Sequence, residues 1–381
     1  MFNICFMVTN IDPYIGGTER VTQTIAEGLQ NRGFNTFFIF PFKDNKIISS
    51  SRKLKFNSED TVALISNLIS SFLNLNSIKV LVVVNRMFHS VKYQKIFSNI
   101  KIHSDVKIIA SLHAAPDNWV NKNKWGLVLP KVYIKECIKS LLYKIYNPHI
   151  KNVVGTYNVA DKFLLLSESY KKSFETTYGI SDTQIKLMAI PNPCPFTDIY
   201  ENEEKENIVL IVSRMQEDQK RIYAALVIWK TLENSIGSWR LVIVGNGPDI
   251  NTYKKYAKQL KNVEFVGHSN DVQSYYKKSK IFMMTSIWEG LPMTLIESIH
   301  YGCVPIVFDS FAAVHDIIED GVTGYIIKNN ASNEFSSKLS CLMKNNSMLN
   351  KMQQNILEKE NLFTLDKILS VWKKELIELI K

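Results

Sequence analysis

The sequence predicts an α/β protein built from two doubly wound domains, each a parallel sheet covered by helices. Two observations lead to this prediction. Short apolar or β-branched runs alternate with segments of helical period along most of the 381 residues, and a Pro-rich, then acidic stretch interrupts the alternation near the middle. Strand–helix alternation is typical of parallel sheets, and the chain is long enough for two domains of ordinary size.

Each predicted strand is a short run bounded by polar, Gly or Pro residues, and the runs are 4–9, 36–40, 80–84, 108–112, 163–167, 208–213, 241–245, 263–266, 281–285 and 304–308. The break in composition predicts an N-terminal domain over 1–192, a linker over 193–207 and a C-terminal domain over 208–361. The last segment, 362–381, has apolar residues at the spacing of one helix face, which predicts a helix that packs back on the first domain.

Cysteine content and hydropathy exclude several classes of protein. The five cysteines are scattered and form no C-x-x-C pair, which argues against a disulfide framework or a structural zinc site and favours a reducing compartment. No run approaches the roughly 20 apolar residues that span a bilayer, and the first residues have the pattern of a strand instead of a signal peptide. We therefore expect a cytoplasmic protein.

The net charge of +10 is confined to the first half of the chain. Residues 1–200 contain 24 Lys and Arg against 14 Asp and Glu, whereas residues 201–381 contain 22 of each. This asymmetry indicates an anionic partner. Because the sequence has no nucleic-acid recognition motif, an anionic membrane surface or a phosphate-bearing acceptor is the better candidate.

A basic stripe in the segment 119–151 gives this partner a location. Lys131, Lys135 and Lys139 recur every four residues, with apolar and aromatic residues on other faces. The pattern predicts an amphipathic helix that docks on the inner face of the cell membrane. The alternative is an ordinary surface helix whose lysines are solvated.

The string from Thr285 to Ser298 carries the strongest functional signal. Glu289 follows a predicted strand in a Gly-Leu-Pro loop, and Glu297 lies eight positions later, about two turns into the helix that the loop opens. Backbone N–H groups at a helix N-terminus suit an anion, and a carboxylate can hold sugar or ribose hydroxyls. The loop is therefore a candidate site for a sugar nucleotide.

This string resembles the E-x7-E motif of retaining glycosyltransferases with the GT-B architecture, in particular family 4. Further matching segments follow in the family's order, from about residue 3 to 330: 16–20, 111–113, 190–193, 212–220, 241–248 and 264–267. The resemblance implies two Rossmann-like domains that face a central cleft, with the acceptor on the first and the donor on the second.

The resemblance also implies roles for single residues. Arg214 and Lys220 would bind the donor diphosphate, and Glu297 would hold the ribose hydroxyls. Gly16 and Gly17 would bring backbone N–H groups close to the distal phosphate or the acceptor.

Two implied contacts surround the transferred sugar. His113 would touch the donor sugar near the reacting carbon. Glu289 would hold the sugar together with the segment that follows it, Gly290, Leu291, Pro292, Met293 and Thr294.

The expected reaction is transfer of a hexose or N-acetylhexosamine from a nucleotide diphosphate sugar, with UDP as the nucleotide, to a lipid-linked saccharide in surface polysaccharide or glycolipid synthesis. The nucleotide sugar is a substrate, and we expect no cofactor. We expect no metal ion, which agrees with the lack of an Asp-x-Asp pair in the chain. We also expect no nucleic-acid partner. The alternatives are a soluble enzyme acting on a small or polymeric sugar acceptor, and a non-catalytic nucleotide-sugar-binding subunit.

Arg221 departs from the family pattern. It stands where glycine is usual after Lys220. We expect it either to add a third phosphate contact or to face solvent.

Overall fold

The computed structural model describes residues 1–12, 17–42, 49–50, 52–84, 90–117, 148–182, 184–198, 204–235 and 237–381. The chain forms two compact units. The first comprises Met1–Pro193 together with Leu365–Lys381, and the second comprises Cys194–Thr364. Each is built around its own sheet.

The first unit contains an eight-stranded sheet in the order β3-β4-β2-β1-β5-β6-β7-β8. All neighbours are parallel except β3, which is antiparallel to β4. The strands are β1 Asn3–Met7, β2 Asn35–Phe42, β3 Ser49–Ser50, β4 Lys53–Asn57, β5 Ile78–Val84, β6 Lys107–Ser111, β7 Lys162–Leu165 and β8 Leu187–Ala189. The described helices are α1 Gly17–Gln30, α2 Val62–Leu75, α3 Val91–His103, α4 Pro148–Val159 and α5 Tyr170–Tyr178.

The second unit contains a six-stranded, fully parallel sheet in the order β11-β10-β9-β12-β13-β14. Its strands are β9 Glu206–Val212, β10 Arg240–Val244, β11 Val263–Gly267, β12 Ser279–Met284, β13 Val304–Asp309 and β14 Tyr325–Lys328. Its helices are α6 Glu217–Lys220, α7 Ile222–Thr231, α8 Ile250–Ala257, α9 Val272–Lys278, α10 Met293–His300, α11 Val314–Ile317, α12 Ser332–Lys344 and α13 Asn346–Lys359. The predicted fold class, two parallel-sheet Rossmann-like domains, is confirmed.

The last helix, α14 (Leu365–Ile380), packs in the core of the first unit. Leu369 and Trp372 are almost fully buried there, beside β1 and α1. A Cβ atom at Gly28 of α1 would overlap the side chain of Leu369, so this glycine allows the two helices to approach closely. Arg32 and Asp366 form an ion pair at the edge of the contact.

The linker over 193–207 stays a prediction, and the described residues from Cys194 onward are grouped with the second unit. Lys205 is buried, and its ammonium group donates to three backbone carbonyl oxygens, those of Tyr276, Lys277 and Ser279, at 2.8–3.0 Å. An acidic, Pro-rich composition is typical of a linker, but here a buried cation anchors the segment to the sheet.

The part of the chain that the structure describes contains no candidate for a membrane-spanning helix. None of the helices there combines the length and the apolar character that crossing a bilayer requires.

Candidate active site

The strand order of the second sheet defines where a ligand is expected. From β9 the chain proceeds outward through β10 and β11, and then crosses back to β12 on the other side of β9. Ligands of doubly wound sheets bind beyond the carboxyl ends of the strands at the point where the order reverses. The segments that follow β9 and β12 therefore flank the expected site.

Lys220 and Glu289 meet at this point. Lys220 ends α6, in the segment after β9, and Glu289 lies in the segment after β12. Their Nζ and Oε1 atoms are 2.5 Å apart, and their side chains are only 18% and 9% exposed. The family resemblance assigns the two residues to separate parts of a donor, and the structure brings their side chains into direct contact.

Further hydrogen bonds join the two segments that carry this ion pair. The Ile287 N–H donates to the Gln219 carbonyl at 2.7 Å, and the Gln219 side-chain amide donates to the Trp288 carbonyl at 3.2 Å. The Thr285 hydroxyl lies 3.0 Å from the Lys220 carbonyl oxygen. The segment 219–220 is thus held against 285–289 at several points, which orients the ion pair in advance.

Of the two roles expected for Arg221, the structure speaks against the solvent-facing one, and the phosphate contact stays a prediction. Its Nε donates to the Thr285 carbonyl at 2.9 Å, and its terminal nitrogens donate to the side-chain oxygens of Asn329 and Asn330. The guanidinium also lies 4.8 Å from the centroid of the Phe308 ring. Arg221 therefore hydrogen-bonds to the segments that follow β12 and β14, and its guanidinium also lies against Phe308 within β13.

The environment and backbone of Arg221 are both unusual. Burial lowers the pKa of the guanidinium to about 10, so it stays charged at neutral pH. Its φ is 48°, in the left-handed region where glycine is favoured. A side chain that makes several tertiary contacts thus occupies a position whose backbone suits glycine.

Arg214 lies in the segment between β9 and α6 and is exposed. The neighbouring segment, after β10, approaches it closely: a Cβ atom at Gly245 would overlap the Ser213 carbonyl oxygen, and one at Gly247 would overlap the backbone of Met215. The glycines of the 245–247 turn therefore allow two segments to pack closely at the carboxyl ends of β9 and β10. The Arg214 side chain lies on the surface beside this contact.

Glu297 forms a second polar contact inside the unit. Its Oε2 accepts a hydrogen bond from the Tyr276 hydroxyl at 2.9 Å, and both residues are buried. Burial and the nearby carboxylate raise the pKa of Tyr276, so its hydroxyl remains a donor. The contact uses one carboxylate oxygen of Glu297 and orients it from a different helix, α9.

The segment 290–294 leads into α10. Pro292 is the N-cap residue, and its carbonyl accepts hydrogen bonds from Leu295 and Ile296. The first N–H groups of a helix have no partner within the helix, so those of Met293 and Thr294 point away from it. Both residues are partly exposed, and they follow Glu289 closely in the chain.

In the first unit, His113 lies just past the carboxyl end of β6. It is partly buried, and desolvation lowers the pKa of its imidazole to about 4, so the ring is neutral at pH 7. Gly17 opens α1 after β1, and among the described residues outside its own helix backbone no atom lies within 4 Å of the position of a Cβ there. Gly16, Lys131, Lys135 and Lys139 lie outside the described residues.

Residues 196–359 match the family model of glycosyl transferases group 1. A glycosyltransferase of Haemophilus influenzae is 24% identical over 98% of this chain and 99% of its own. An amylovoran biosynthesis glycosyltransferase, AmsD of Erwinia amylovora, is 24% identical over 90% of both chains. An N-acetylgalactosaminyltransferase of Campylobacter jejuni is 25% identical over 58% of this chain and 62% of its own length. Its name specifies a PP-undecaprenol-linked saccharide.

Solved structures share the fold over the whole length. The lipopolysaccharide outer core galactosyltransferase WaaB superposes with a TM-score of 0.73, at 18% identity over 99% of both chains. The pneumococcal O-GlcNAc transferase GtfA, in complex with UDP and GlcNAc, gives 0.71 at 13% identity over 100% of this chain and 99% of its own. The chain is a glycosyltransferase, and its similarity to the group 1 family model lies in residues 196–359.

The family match covers Lys220, Glu289 and Glu297 of this glycosyltransferase and nearly all of its second unit. Sequence reasoning identified these residues but missed Tyr276 and the tertiary role of Arg221. Tyr276 is distant in sequence from Glu297 and belongs to no motif, so only its burial in the folded unit shows the contact. For Arg221 the signal was present, since a long side chain in place of glycine indicates a contact strong enough to offset backbone strain.

Proposed function

We propose that this glycosyltransferase transfers a hexose or N-acetylhexosamine from a UDP-sugar to a lipid-linked saccharide, with retention of configuration and without a metal ion. The acceptor belongs to the synthesis of a surface polysaccharide or glycolipid, at the cytoplasmic face of the membrane. The supporting observation is the Lys220–Glu289 ion pair, held beyond the carboxyl ends of β9 and β12.

The chemistry of glycosyl transfer accounts for this pair. The reacting carbon becomes oxocarbenium-like while a diphosphate leaves with added negative charge. Lys220 has three donors, so it can keep Glu289 and bind the diphosphate at the same time. Arg214 adds a second cation from the surface, and the first N–H groups of α10 add neutral donors to the sugar. Glu297 binds the ribose, while Gly16 and Gly17 approach the distal phosphate or the acceptor.

Retention rests on the resemblance of the string 285–298 to the E-x7-E motif, and the route to it depends on whether a protein nucleophile is at hand. One oxygen of Glu289 is already held by Lys220, which suits binding of the sugar better than covalent attack. We therefore infer same-face attack. The bond from the anomeric carbon to the diphosphate breaks, the acceptor hydroxyl forms the new bond, and its proton passes to the leaving phosphate oxygen. His113, neutral at pH 7, contacts the donor sugar near this carbon.

Relatives support the choice of substrates. The complex of GtfA contains UDP, the Erwinia protein acts in amylovoran biosynthesis, and the name of the Campylobacter protein specifies a polyprenyl-diphosphate acceptor. The excess of positive charge in residues 1–200 agrees with an acceptor that carries a diphosphate or lies on an anionic membrane.

The test is a transfer assay followed by mass spectrometry. Purified protein in EDTA is mixed with UDP-, GDP-, ADP- and TDP-sugars and with polyprenyl-diphosphate saccharides, and NMR of the product gives the anomeric configuration. We expect transfer from a UDP-sugar that is lost in Lys220→Ala and in Glu289→Ala. The matched control is Lys101→Ala, which breaks another lysine–carboxylate pair, with Asp161, in the first unit. Binding of UDP-sugar without turnover on any acceptor would contradict the proposal and favour a non-catalytic subunit.

Membrane docking has its own test. Flotation with liposomes that contain an anionic lipid should retain the wild-type protein and lose the variant with Lys131, Lys135 and Lys139 all changed to Glu, because each basic residue near an anionic surface contributes about 1 kcal/mol. Equal flotation of the two proteins would show that the stripe is solvated. Neutral liposomes are the control.

A further inference from the structure

A small cavity in the first unit joins His113 to the C-terminal helix. Its polar lining includes Ser111 at the end of β6, His113 itself, Asn192, and Trp372 of α14, and the rest is mainly apolar. The cavity leaves about 10 Å³ for the centre of a water-sized sphere, which is the volume that one water molecule needs.

Two polar atoms of this lining have no hydrogen-bond partner among the residues that the structure describes: the Ser111 hydroxyl and the Trp372 indole N–H. The residues are only 1% and 3% exposed. Buried polar groups are nearly always paired with protein atoms or with ordered water, because desolvation without a partner is costly. Ser111, Trp372 and His113 all line this one small cavity, so a polar ligand held there would be within reach of both unpaired groups and of the imidazole.

We propose that this cavity binds one structural water, which links Trp372 and Ser111 to His113 and fixes the orientation of its ring. The indole N–H can only donate, so the water accepts from Trp372. The water then has two hydrogens to give, one to the Ser111 oxygen and one to a ring nitrogen of neutral His113. That bond assigns the proton of the imidazole to the other nitrogen.

The inference makes Ser111 and Trp372 positioning residues for His113, and it rests on the proposed contact of His113 with the donor sugar. The C-terminal helix then contributes to the site through its indole N–H. Docking of α14 on the first unit is thereby coupled to the state of the residue that meets the sugar.

The water and the tautomer can be tested without any turnover. A high-resolution crystal structure of the unliganded protein should show a water within hydrogen-bonding distance of Ser111 Oγ and Trp372 Nε1. In long-range ¹H–¹⁵N NMR spectra, His113 should be a single neutral tautomer in the wild type. Ser111→Ala and Trp372→Phe should each raise the minor tautomer several-fold, and Ser111→Ala serves alone if Trp372→Phe fails to fold.

The matched control is Ser70→Ala. Ser70 has another buried hydroxyl without a partner among the described residues, but it lies on α2 and outside the cavity lining, so this variant should leave the tautomer unchanged. An empty cavity, or a tautomer ratio that responds equally to all three variants, would overturn the proposal.

Kinetics separate the water site from the role of His113. Loss of one neutral hydrogen bond typically corresponds to about a fivefold change, so we expect kcat to fall about fivefold in Ser111→Ala while KM for the donor stays constant. If the tautomer shifts and kcat does not, the water site stands and the contact between His113 and the sugar is wrong.

Discussion

The segments beyond the carboxyl ends of the two sheets are stabilised in different ways. In the second unit, Lys220 pairs with Glu289, and Arg221 donates hydrogen bonds to residues that follow two strands, β12 and β14. In the first unit, His113 lines a small cavity, and two polar atoms of that lining, Ser111 Oγ and Trp372 Nε1, lack direct partners among the described residues. Charged side chains in the second unit are therefore fixed by direct contacts with their neighbours, whereas the first unit holds a neutral imidazole by burial.

The largest expected effect is on catalysis, and it tests whether Lys220 and Glu289 act together. Lys220→Met and Glu289→Gln should each lower kcat/KM by about 10²–10³-fold, the usual cost of removing a preorganised charge-stabilising group. The double variant should lose little more than either single variant, because residues that act together are not additive. Independent losses that multiply in the double variant would show two separate sites.

Substitutions of Arg221 test whether its side-chain contacts stabilise the second unit by more than its left-handed backbone conformation costs. Arg221→Ala should destabilise the second unit by about 3 kcal/mol, since it removes hydrogen bonds from a buried cation. Arg221→Gly should cost about 1 kcal/mol less, because glycine relieves the left-handed backbone. Native-state hydrogen exchange of β12 and β13 measures both. Equal stability of Arg221→Gly and the wild type would mean that the contacts contribute nothing.

His113 should make the first unit sensitive to acid. Its pKa of about 4 in the folded protein lies below the ordinary value of 6.5, so the unfolded chain takes up a proton first as the pH falls. The stabilisation is complete above pH 6.5 and is lost as the pH falls towards 4. In His113→Asn the slope of unfolding free energy against pH should be shallower by up to about 1.4 kcal/mol per pH unit in this window. Hydrogen exchange of β6 measures this slope, and a slope that is unchanged in the variant would contradict burial of the ring.

The smallest effect concerns Tyr276. Tyr276→Phe should destabilise the second unit by about 1 kcal/mol and raise KM for the donor about fivefold, because Glu297 loses the hydrogen bond that orients it. Tyr253→Phe is the matched control, since it removes a similar hydrogen bond to Glu217. Calorimetry and donor titration measure the two quantities. A change in KM that is the same in both variants would show that orientation of Glu297 has no special role.

Much of the fold was predictable because strand and helix patterns are local. The strand runs predicted over 208–213 and 281–285 differ by only one or two residues at each end from β9 and β12. The linker was less predictable: residues 194–207 have the composition of a connection, but the buried ammonium of Lys205 bonds to carbonyls of a distant helix and strand. A single buried lysine gives no periodic signal.

The sequence by itself determined the fold class, the order of the elements and the loops that hold Lys220, Glu289, Glu297 and His113, because alternation and motif spacing are properties of neighbouring residues. Only the tertiary structure decided which side chains meet. Lys220 contacts Glu289 because β9 and β12 are adjacent in the sheet although 66 residues lie between them in the chain. Arg221 makes its tertiary contacts for the same reason, since the residues that accept its hydrogen bonds follow β12 and β14, which come together only when the parallel sheet forms.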